Sequence, residues 1–232
     1  MIGQLRLVVA FLLIALAWAF PAFSENPPLA EPSRCVPLDL ASSGTEVPYN
    51  LRAIDGTFFA GGSLFDPVAH SRQEDQVRTE LRFLKEHGVK TVIMLEVPVS
   101  INLDRLTEER ICREEGLRLL EIRMTSEEVP SASQTSAILS AVRQGAYVHC
   151  RWGADRTGAV IARYLREVKH FSGLAAFRAI ISGGSHSGIR GGFKFKPYNR
   201  KLLLYFWPEV SEESLETCAI YGIPFTKKTD SK

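Results

Sequence analysis

The sequence predicts an α/β fold with a central, mainly parallel sheet and helices on both faces. Segments with strand periodicity alternate with segments of helix periodicity along most of the chain, which is typical of parallel strands joined by helices. Residues 89–95 are rich in β-branched side chains and almost continuously apolar, as expected of a parallel strand covered on both faces. Ligands of such folds bind beyond the carboxyl ends of the strands, so polar residues at those ends are candidates for a site.

The amino-terminal half of the domain contains the first predicted strand and the first predicted helix. A short apolar strand at residues 57–60 is followed by Gly61. Ser71 and Glu74 then have capping-box spacing and predict the start of a helix that ends at Gly88. The apolar side chains of this helix recur at i, i+4 and i+7, and they are Val77, Leu81 and Leu84.

The middle of the chain continues the alternation after the strand at residues 89–95. A helix beginning at Thr107 is closed by Gly116, and a strand at residues 117–122 follows. The next helix is capped by Ser131, with a glutamine three residues further on, and it stops before the apolar strand that leads into the motif described below.

The carboxyl-terminal part is predicted to be helical apart from one glycine-rich stretch. One helix begins near Gly158, a second covers residues 173–181, and a closing helix covers residues 198–207. Between the last two, residues 182–192 are rich in Gly and Ser and favour a flexible connection.

Residues 149–158 carry the chemistry, and they read His-Cys-Arg-Trp-Gly-Ala-Asp-Arg-Thr-Gly between an apolar strand and a helix. Cys150 and Arg156 are separated by five residues, and a loop of that length can curl so that its backbone N–H groups converge on one tetrahedral anion. The cysteine sulfur would then lie beneath the anion. The segment therefore predicts a phosphate-binding loop that contains its own nucleophile.

Several features of this loop favour the reactive form of the sulfur. The helix dipole, the loop amides and Arg156 all stabilise the thiolate, which is the attacking species. Arg156 can also bind two phosphate oxygens with its planar fork. Thr157 can donate a hydrogen bond to the sulfur when it becomes a leaving group, and Gly153 gives the loop the conformational freedom that a tight turn needs.

The string His-Cys-x-x-Gly-x-x-Arg-Thr-Gly resembles the signature of the cysteine-dependent protein tyrosine and dual-specificity phosphatases, in particular their small exported bacterial members. The resemblance implies a dual-specificity-phosphatase-like fold for residues 51–209. It implies that His149 orients the loop and, with Thr157, supports the thiolate. The implied phosphate-binding residues are Arg151, Trp152, Gly153, Ala154, Asp155, Arg156 and Thr157.

The proton donor for the leaving group is less clearly marked, because the Trp-Pro-Asp type of loop is absent. In the family the acid lies on the loop before the helix that leads to the catalytic strand, which here is residues 125–130. Glu127 is the first candidate there and Glu128 the second, since a glutamate can act as a general acid. Asp155 competes with them, because lipid phosphatases of the myotubularin type resemble this chain in having Asp before Arg-Thr.

The resemblance implies a mechanism of two displacements through a phosphocysteine intermediate, catalysed by Cys150, Arg156 and a carboxylic acid. The expected substrate is phosphotyrosine in proteins, with dual specificity left open, and the alternative is a phosphoinositide or inositol phosphate. No metal or other cofactor is expected, because the loop itself binds the phosphate. A non-catalytic binding module, a sulfur transferase and an arsenate reductase are disfavoured by the intact Arg-Thr-Gly continuation.

The segments outside the domain suggest export. Residues 1–24 resemble a secretory signal peptide, with Arg6 as the only charge and a small-residue site at the end. The alternative is an uncleaved anchor at residues 7–23, which is at the lower limit for a membrane span. Either interpretation predicts a periplasmic or secreted domain that can reach membrane-proximal substrates. Residues 25–50 are predicted to be a Pro-rich linker and residues 210–232 a tail.

Charge and cysteine content complete the predictions. The net charge of +2 falls to +1 without residues 1–24, so no nucleic-acid partner is indicated, and the sequence leaves the oligomeric state open. If Cys150 stays a thiolate, only one pair among Cys35, Cys112 and Cys218 can be bridged. Cys35 with Cys218 is the favoured pair, because it would join the ends of an exported domain, while unpaired cysteines are the alternative. Cys112 is expected to be buried on its helix.

Overall fold

The computed structural model of the chain describes residues 47–65, 73–96 and 103–212. The predicted signal peptide, most of the predicted linker, Cys35 and Cys218 lie outside the described residues, so the export and disulfide predictions stay predictions. None of the helices in the described ranges is long and apolar enough to cross a membrane.

The described chain alternates between strands and helices as predicted. The strands are β1 Arg52–Asp55, β2 Phe58–Gly61, β3 Thr91–Met94, β4 Arg118–Glu121 and β5 Ala146–His149. The helices are α1 Glu74–Glu86, α2 Leu103–Glu114, α3 Ala132–Gln144, α4 Asp155–Glu167, α5 Gly173–Ile180 and α6 Arg200–Phe206. Two short 3₁₀ helices, Pro197–Asn199 and Pro208–Glu212, flank α6.

The strands form one sheet in the order β1-β2-β5-β3-β4. Strand β1 is antiparallel to β2, and the remaining neighbours are parallel. The predicted fold class, a mainly parallel sheet in an α/β domain, is therefore confirmed. Strand β5 lies at the centre of the sheet, so the loop that follows it opens at the middle of the carboxyl edge.

Helices cover both faces of the sheet. Because successive strand residues point to opposite faces, neighbouring residues of β5 pack against different helices. Val148 of β5 packs in the hydrophobic core formed with α3, α4, α5 and α6. Its neighbour Tyr147 packs in the second core, formed with α1 and α2. The strand that carries the site is thus fixed by packing on both sides.

The predicted helix starts at Ser71 and Thr107 require correction, the start at Ser131 is confirmed, and the helix predicted to begin near Gly158 begins at Asp155. Helix α1 begins at Glu74 with Gln73 as N-cap, not with Ser71, and acidic residues in its first turn interact favourably with the helix dipole. Helix α2 begins at Leu103, one turn before the predicted Thr107. The capping box at Ser131 is present as predicted, with reciprocal hydrogen bonds to the glutamine three residues on.

Strand β1 is an element that the sequence did not predict. It is only four residues long and begins with an arginine, so its sequence lacks the apolar–polar alternation that is typical of a strand. This arginine, Arg52, is nevertheless only 2% exposed. The chain before β1 is also packed: Gly62 donates a backbone hydrogen bond to the carbonyl of Tyr49 at 2.6 Å, and Asn50 is 2% exposed. The domain therefore extends at least to Tyr49 rather than beginning at residue 51.

Residues 182–192 form an ordered connection in contact with the sheet, in contrast to the predicted flexible one. A parallel bridge joins Ile181 to Phe193, and an antiparallel bridge joins Gly188 to Gly191. His186 in this connection is 2% exposed, and its backbone N–H donates to Ala179 at 2.6 Å. At the other end of the domain Val210, predicted to begin the tail, is buried in the core.

We expect the burial of His186 to make folding stability pH-dependent. Burial, and then the positive charge of Arg52, lower the pKa of His186 from 6.5 to about 4. The unfolded chain therefore binds a proton that the folded chain does not bind between these values, and stability falls as the pH is lowered from 6.5 towards 4, by up to about 3 kcal/mol. Urea unfolding of wild type and His186→Asn at both ends of this range measures the effect.

The matched control is His170→Asn, since His170 is exposed and its φ of 57° is tolerated by asparagine. The His186→Asn variant should lose much of the pH dependence that wild type and the control share. Equal pH dependence in all three proteins would contradict the assignment.

Candidate active site

The loop between β5 and α4 places Cys150 at the amino-terminal end of a helix of 13 residues. Cys150 is 2% exposed, and the hydroxyl of Thr157 donates a hydrogen bond to its sulfur at 3.2 Å. Ala154, the N-cap of α4, makes no side-chain capping hydrogen bond. The first N–H groups of α4 therefore have no side-chain acceptor from the N-cap, and they form the positive, anion-binding end of the helix dipole.

Three consecutive carbonyl groups of the loop are bound from outside. The carbonyl of Arg151 accepts from the backbone N–H of Ser63 at 3.1 Å. The carbonyl of Trp152 accepts from the side-chain amide of Asn50 at 3.2 Å, and that of Gly153 accepts from Nη2 of Arg52 at 2.7 Å.

These three contacts determine where the loop amides point. In a planar trans peptide the carbonyl of one residue and the N–H of the next point in opposite directions. Because the carbonyls of residues 151–153 face the surrounding protein, the N–H groups of Trp152, Gly153 and Ala154 face the inside of the loop. Several N–H groups that converge in this way form a concave anion site.

Arg52 supports the loop from a buried position. Besides the carbonyl of Gly153, its guanidinium donates to the carbonyl of His186 at 2.9 Å and to that of Asn50 at 3.0 Å. The rigid fork of an arginine suits this role, because one side chain holds three backbone segments together. Arg52 and Asn50 were both missed by the sequence analysis, because β1, which Arg52 begins and Asn50 precedes, was not predicted.

Position 153 requires a glycine for two reasons, its backbone conformation and the lack of space for a side chain. Its φ is +66°, in the left-handed region that favours glycine. A Cβ at this position would lie 2.4 Å from the carbonyl carbon and oxygen of Gly61 at the end of β2. The loop therefore approaches the neighbouring strand more closely than a residue with a side chain would allow.

Arg156 lies in the first turn of α4, with its guanidinium 3.7 Å from the carboxylate of Glu96. Glu96 follows the carboxyl end of β3, the strand beside β5. Both side chains are partly exposed, so the contact orients the arginine without burying its charge. Glu96 is a further residue that the sequence analysis did not single out, although it lies where the fold class predicts a site.

His149 is held by a buried carboxylate. Its Nε2 lies 2.9 Å from Glu108 of α2, and the two side chains are 3% and 2% exposed. Because a carboxylate only accepts hydrogen bonds, Nε2 carries the hydrogen. The imidazole also stacks on Tyr147, with 5.5 Å between ring centroids. These contacts fix the ring of the residue that precedes the nucleophile.

Glu108 also affects a second cysteine. Cys112, one turn further along α2, is fully buried as predicted. Burial, and then the negative charge of Glu108, raise the pKa of the Cys112 thiol, so it stays protonated. A glutamate one turn before two buried residues, Ile111 and Cys112, is a detectable sign that Glu108 faces the core.

The three candidate acids lie in different surroundings. Glu127 is 69% exposed and its carboxylate pairs with Lys201 at 3.2 Å, while Glu128 pairs with Arg123 at 2.7 Å. Asp155 lies in the first turn of α4 and accepts a hydrogen bond from the backbone N–H of Lys194 at 2.9 Å. None of these contacts joins a candidate acid to Cys150.

Among the described residues, no three His, Cys, Asp or Glu side chains are grouped so that they could hold a metal ion. The phosphate-binding residues predicted from the sequence, at positions 151–157, all lie on the loop and the first turn of α4. Of these, Arg151 and Trp152 are exposed on the outer side, and Thr157 is fully buried behind the sulfur.

The solved structures to which this chain is similar include phosphatases. TpbA of P. aeruginosa is 18% identical, with 75% of this chain and 91% of that chain covered and a TM-score of 0.47. PTPMT1 is 20% identical, with 70% and 96% covered and a TM-score of 0.48. The core catalytic domain of the PP-IP phosphatase SIW14 of S. cerevisiae is 21% identical, with 56% and 73% covered and a TM-score of 0.41. No curated protein matches the sequence significantly.

The sequence itself matches a family model. Residues 68–169 match the model described as "Tc-R-P: Polymorphic toxin system, DSP-PTPase phosphatase". The match contains every element from α1 to α4, and with them the whole loop from Cys150 to Arg156 and the acid candidates at positions 127 and 128. The resemblance seen in the motif is confirmed, and the chain carries a phosphatase domain of the dual-specificity and tyrosine-phosphatase type, a hydrolase of phosphoric monoesters.

Proposed function

We propose that this domain hydrolyses phosphotyrosine in proteins through a phosphocysteine intermediate on Cys150. The observation that carries the proposal is the orientation of the loop. Its carbonyls at residues 151–153 are bound from outside, so its amides converge above a buried sulfur that accepts a hydrogen bond from Thr157. A phosphate monoester dianion fits this arrangement, since donors surround its oxygens and the nucleophile lies beneath its phosphorus.

In the first step Cys150 attacks phosphorus and the phenolic oxygen of tyrosine leaves with a proton. The bond from sulfur to phosphorus forms as the bond from oxygen to phosphorus breaks. Arg156 binds two equatorial oxygens of the transferring group, and the loop amides bind the charge that these oxygens carry. In the second step the carboxylate left by the general acid takes a proton from water as this water attacks the phosphorus of the phosphocysteine. The bond from sulfur to phosphorus breaks and the sulfur leaves as a thiolate, which the Thr157 hydroxyl stabilises by its hydrogen bond at 3.2 Å.

Glu127 is our proposed general acid, with Glu128 and Asp155 as alternatives. The Lys201 contact of Glu127 joins two exposed side chains and contributes at most about 1 kcal/mol, so a bound substrate can draw the loop inwards at small cost. Thr125 stabilises the turn before it, since its hydroxyl accepts from the N–H groups of Glu127 and Glu128. Asp155 is closer to Cys150 in the sequence, but its carboxylate already accepts a hydrogen bond from the backbone N–H of Lys194.

We also propose that the domain acts after export, in the periplasm or outside the cell, on proteins that include membrane-proximal ones. The support is the composition of residues 1–24, with one charge, an apolar run and a small-residue site. Amino-terminal sequencing of the exported protein tests this point, since a mature chain beginning near residue 25 is expected and an intact first segment would favour an anchor.

The substrate proposal predicts turnover that depends on Cys150. Purified residues 25–232, with reductant and chelator, should hydrolyse a phosphotyrosine peptide faster than a soluble phosphoinositide. Cys150→Ser should lower turnover by about four orders of magnitude or more, because a neutral hydroxyl replaces a thiolate nucleophile. The serine variant should still bind inorganic phosphate, which calorimetry can measure.

Preference for the phosphoinositide would contradict the protein substrate and favour the alternative. Substantial turnover by Cys150→Ser would contradict the mechanism, because no phosphocysteine can form in that variant.

The general acid can be identified by its dependence on the leaving group. A tyrosine phenol has a pKa near 10 and needs a proton in order to leave, whereas p-nitrophenol is far more acidic and leaves without help. We expect Glu127→Gln to lower kcat for a phosphotyrosine peptide by roughly 10²-fold to 10⁴-fold and to affect p-nitrophenyl phosphate much less.

Glu128→Gln and Asp155→Asn are the matched variants, and Asp155→Asn retains an oxygen that can accept from Lys194. If the leaving-group dependence appears in one of these instead, Glu127 is the wrong residue and the role passes to that one.

A further inference from the structure

A band of arginine and aromatic side chains lies beside the phosphate-binding loop. It runs from Arg151 to Trp152, Tyr49 and Arg190, and we call it the rim band. The guanidinium of Arg151 lies 5.5 Å from the ring centre of Trp152, the rings of Trp152 and Tyr49 are 6.0 Å apart, and the guanidinium of Arg190 lies 5.6 Å from the ring centre of Tyr49. Contacts of arginine with aromatic faces at such distances are attractive.

Asn50 fixes the band to the loop. Its side-chain nitrogen donates to the carbonyls of Trp152 and Gly191, both at 3.2 Å, and its side-chain oxygen accepts from the backbone N–H of Arg190 at 3.0 Å. Asn50 is 2% exposed and is held further by Arg52, which donates to its carbonyl. The backbones that carry the two ends of the band are therefore joined by one buried side chain.

The two arginines of the band differ from most arginines of the surface. Arg110 and Arg166, for example, pair with glutamates at 2.6 Å and 2.7 Å. Within the described ranges, neither Arg151 nor Arg190 forms an ion pair with a carboxylate. Two described carboxylates of the site have other partners, since Glu96 contacts Arg156 and Asp155 accepts from the backbone N–H of Lys194. Two positive charges thus face solvent beside the mouth of the site.

We propose that the rim band is a second anion subsite, which binds an acidic side chain next to the phosphotyrosine of a peptide substrate. This inference rests on the proposed function. An arginine fork binds a carboxylate in bidentate geometry, and contact with a ring reduces the freedom that the side chain loses on binding. The subsite also exposes apolar surface, because Trp152 is 45% exposed, and this suits peptide side chains better than a polyhydroxylated ring.

The test compares two phosphotyrosine peptides that differ only in their flanking residues, Asp and Glu in one and Asn and Gln in the other. Wild type should prefer the acidic peptide by about fivefold to tenfold in kcat/KM at low salt, and the preference should shrink as salt is added. Arg190→Met should lose most of this preference, and Arg190→Lys should retain part of it, because the charge stays while the fork is lost.

Two controls keep the result interpretable. Arg113→Met removes an exposed arginine of α2 whose side chain is 72% exposed, and it should keep the full preference. Turnover of p-nitrophenyl phosphate, which has no second anion, reports whether each variant still folds and retains the loop. A wild type that cannot hydrolyse this compound would contradict the proposed function itself rather than the subsite.

An unchanged preference in Arg190→Met would overturn the proposal. The proposal would also be overturned if Arg190→Met lost turnover of a soluble phosphoinositide but kept the wild-type preference between the two peptides. The anion bound by Arg190 would then belong to a lipid headgroup.

Discussion

The site depends on how the protein holds the carbonyl groups of one loop. Backbone donors and acceptors are always present in a loop, and their direction decides whether it binds an anion or a cation. Here Ser63, Asn50 and Arg52 bind the carbonyls of residues 151–153, so the N–H groups must face inwards. These donors come from the ends of β1 and β2, and the position of those strands beside β5 is therefore a condition for the chemistry.

A second layer of contacts positions the groups that react. Glu108 on α2 holds His149, and Glu96 after β3 contacts Arg156, so elements distant in sequence contribute to a site whose own motif covers ten residues. His149 and Glu108 are buried, which makes their contact stronger than the exposed pairs of the surface. These contacts hold the loop from behind, whereas the side chain of Glu127 is 69% exposed.

Most of the fold and the centre of the site could be predicted because they depend on local patterns. The alternation of periodicities gave the sheet class, Ser131 with its glutamine gave the start of α3, and Cys150 with Arg156 gave the loop. The residues that were missed act over long range. Arg52 and Asn50 contact positions about 100 residues away, and no local pattern marks such contacts. The connection at residues 182–192 was assigned as flexible from its glycines, although its backbone carbonyls complete this support.

The most direct measurement of the central claim is a phosphate titration of the Cys150→Ser variant, followed by the amide NMR signals of the loop. If the loop amides face inwards, the N–H signals of Trp152, Gly153 and Ala154 should shift strongly downfield as phosphate binds, because each gains a charge-assisted hydrogen bond. The N–H of Ser63, which donates to the Arg151 carbonyl, should move little. Binding of phosphate without shifts at residues 152–154, or with the largest shift at Ser63, would contradict the account.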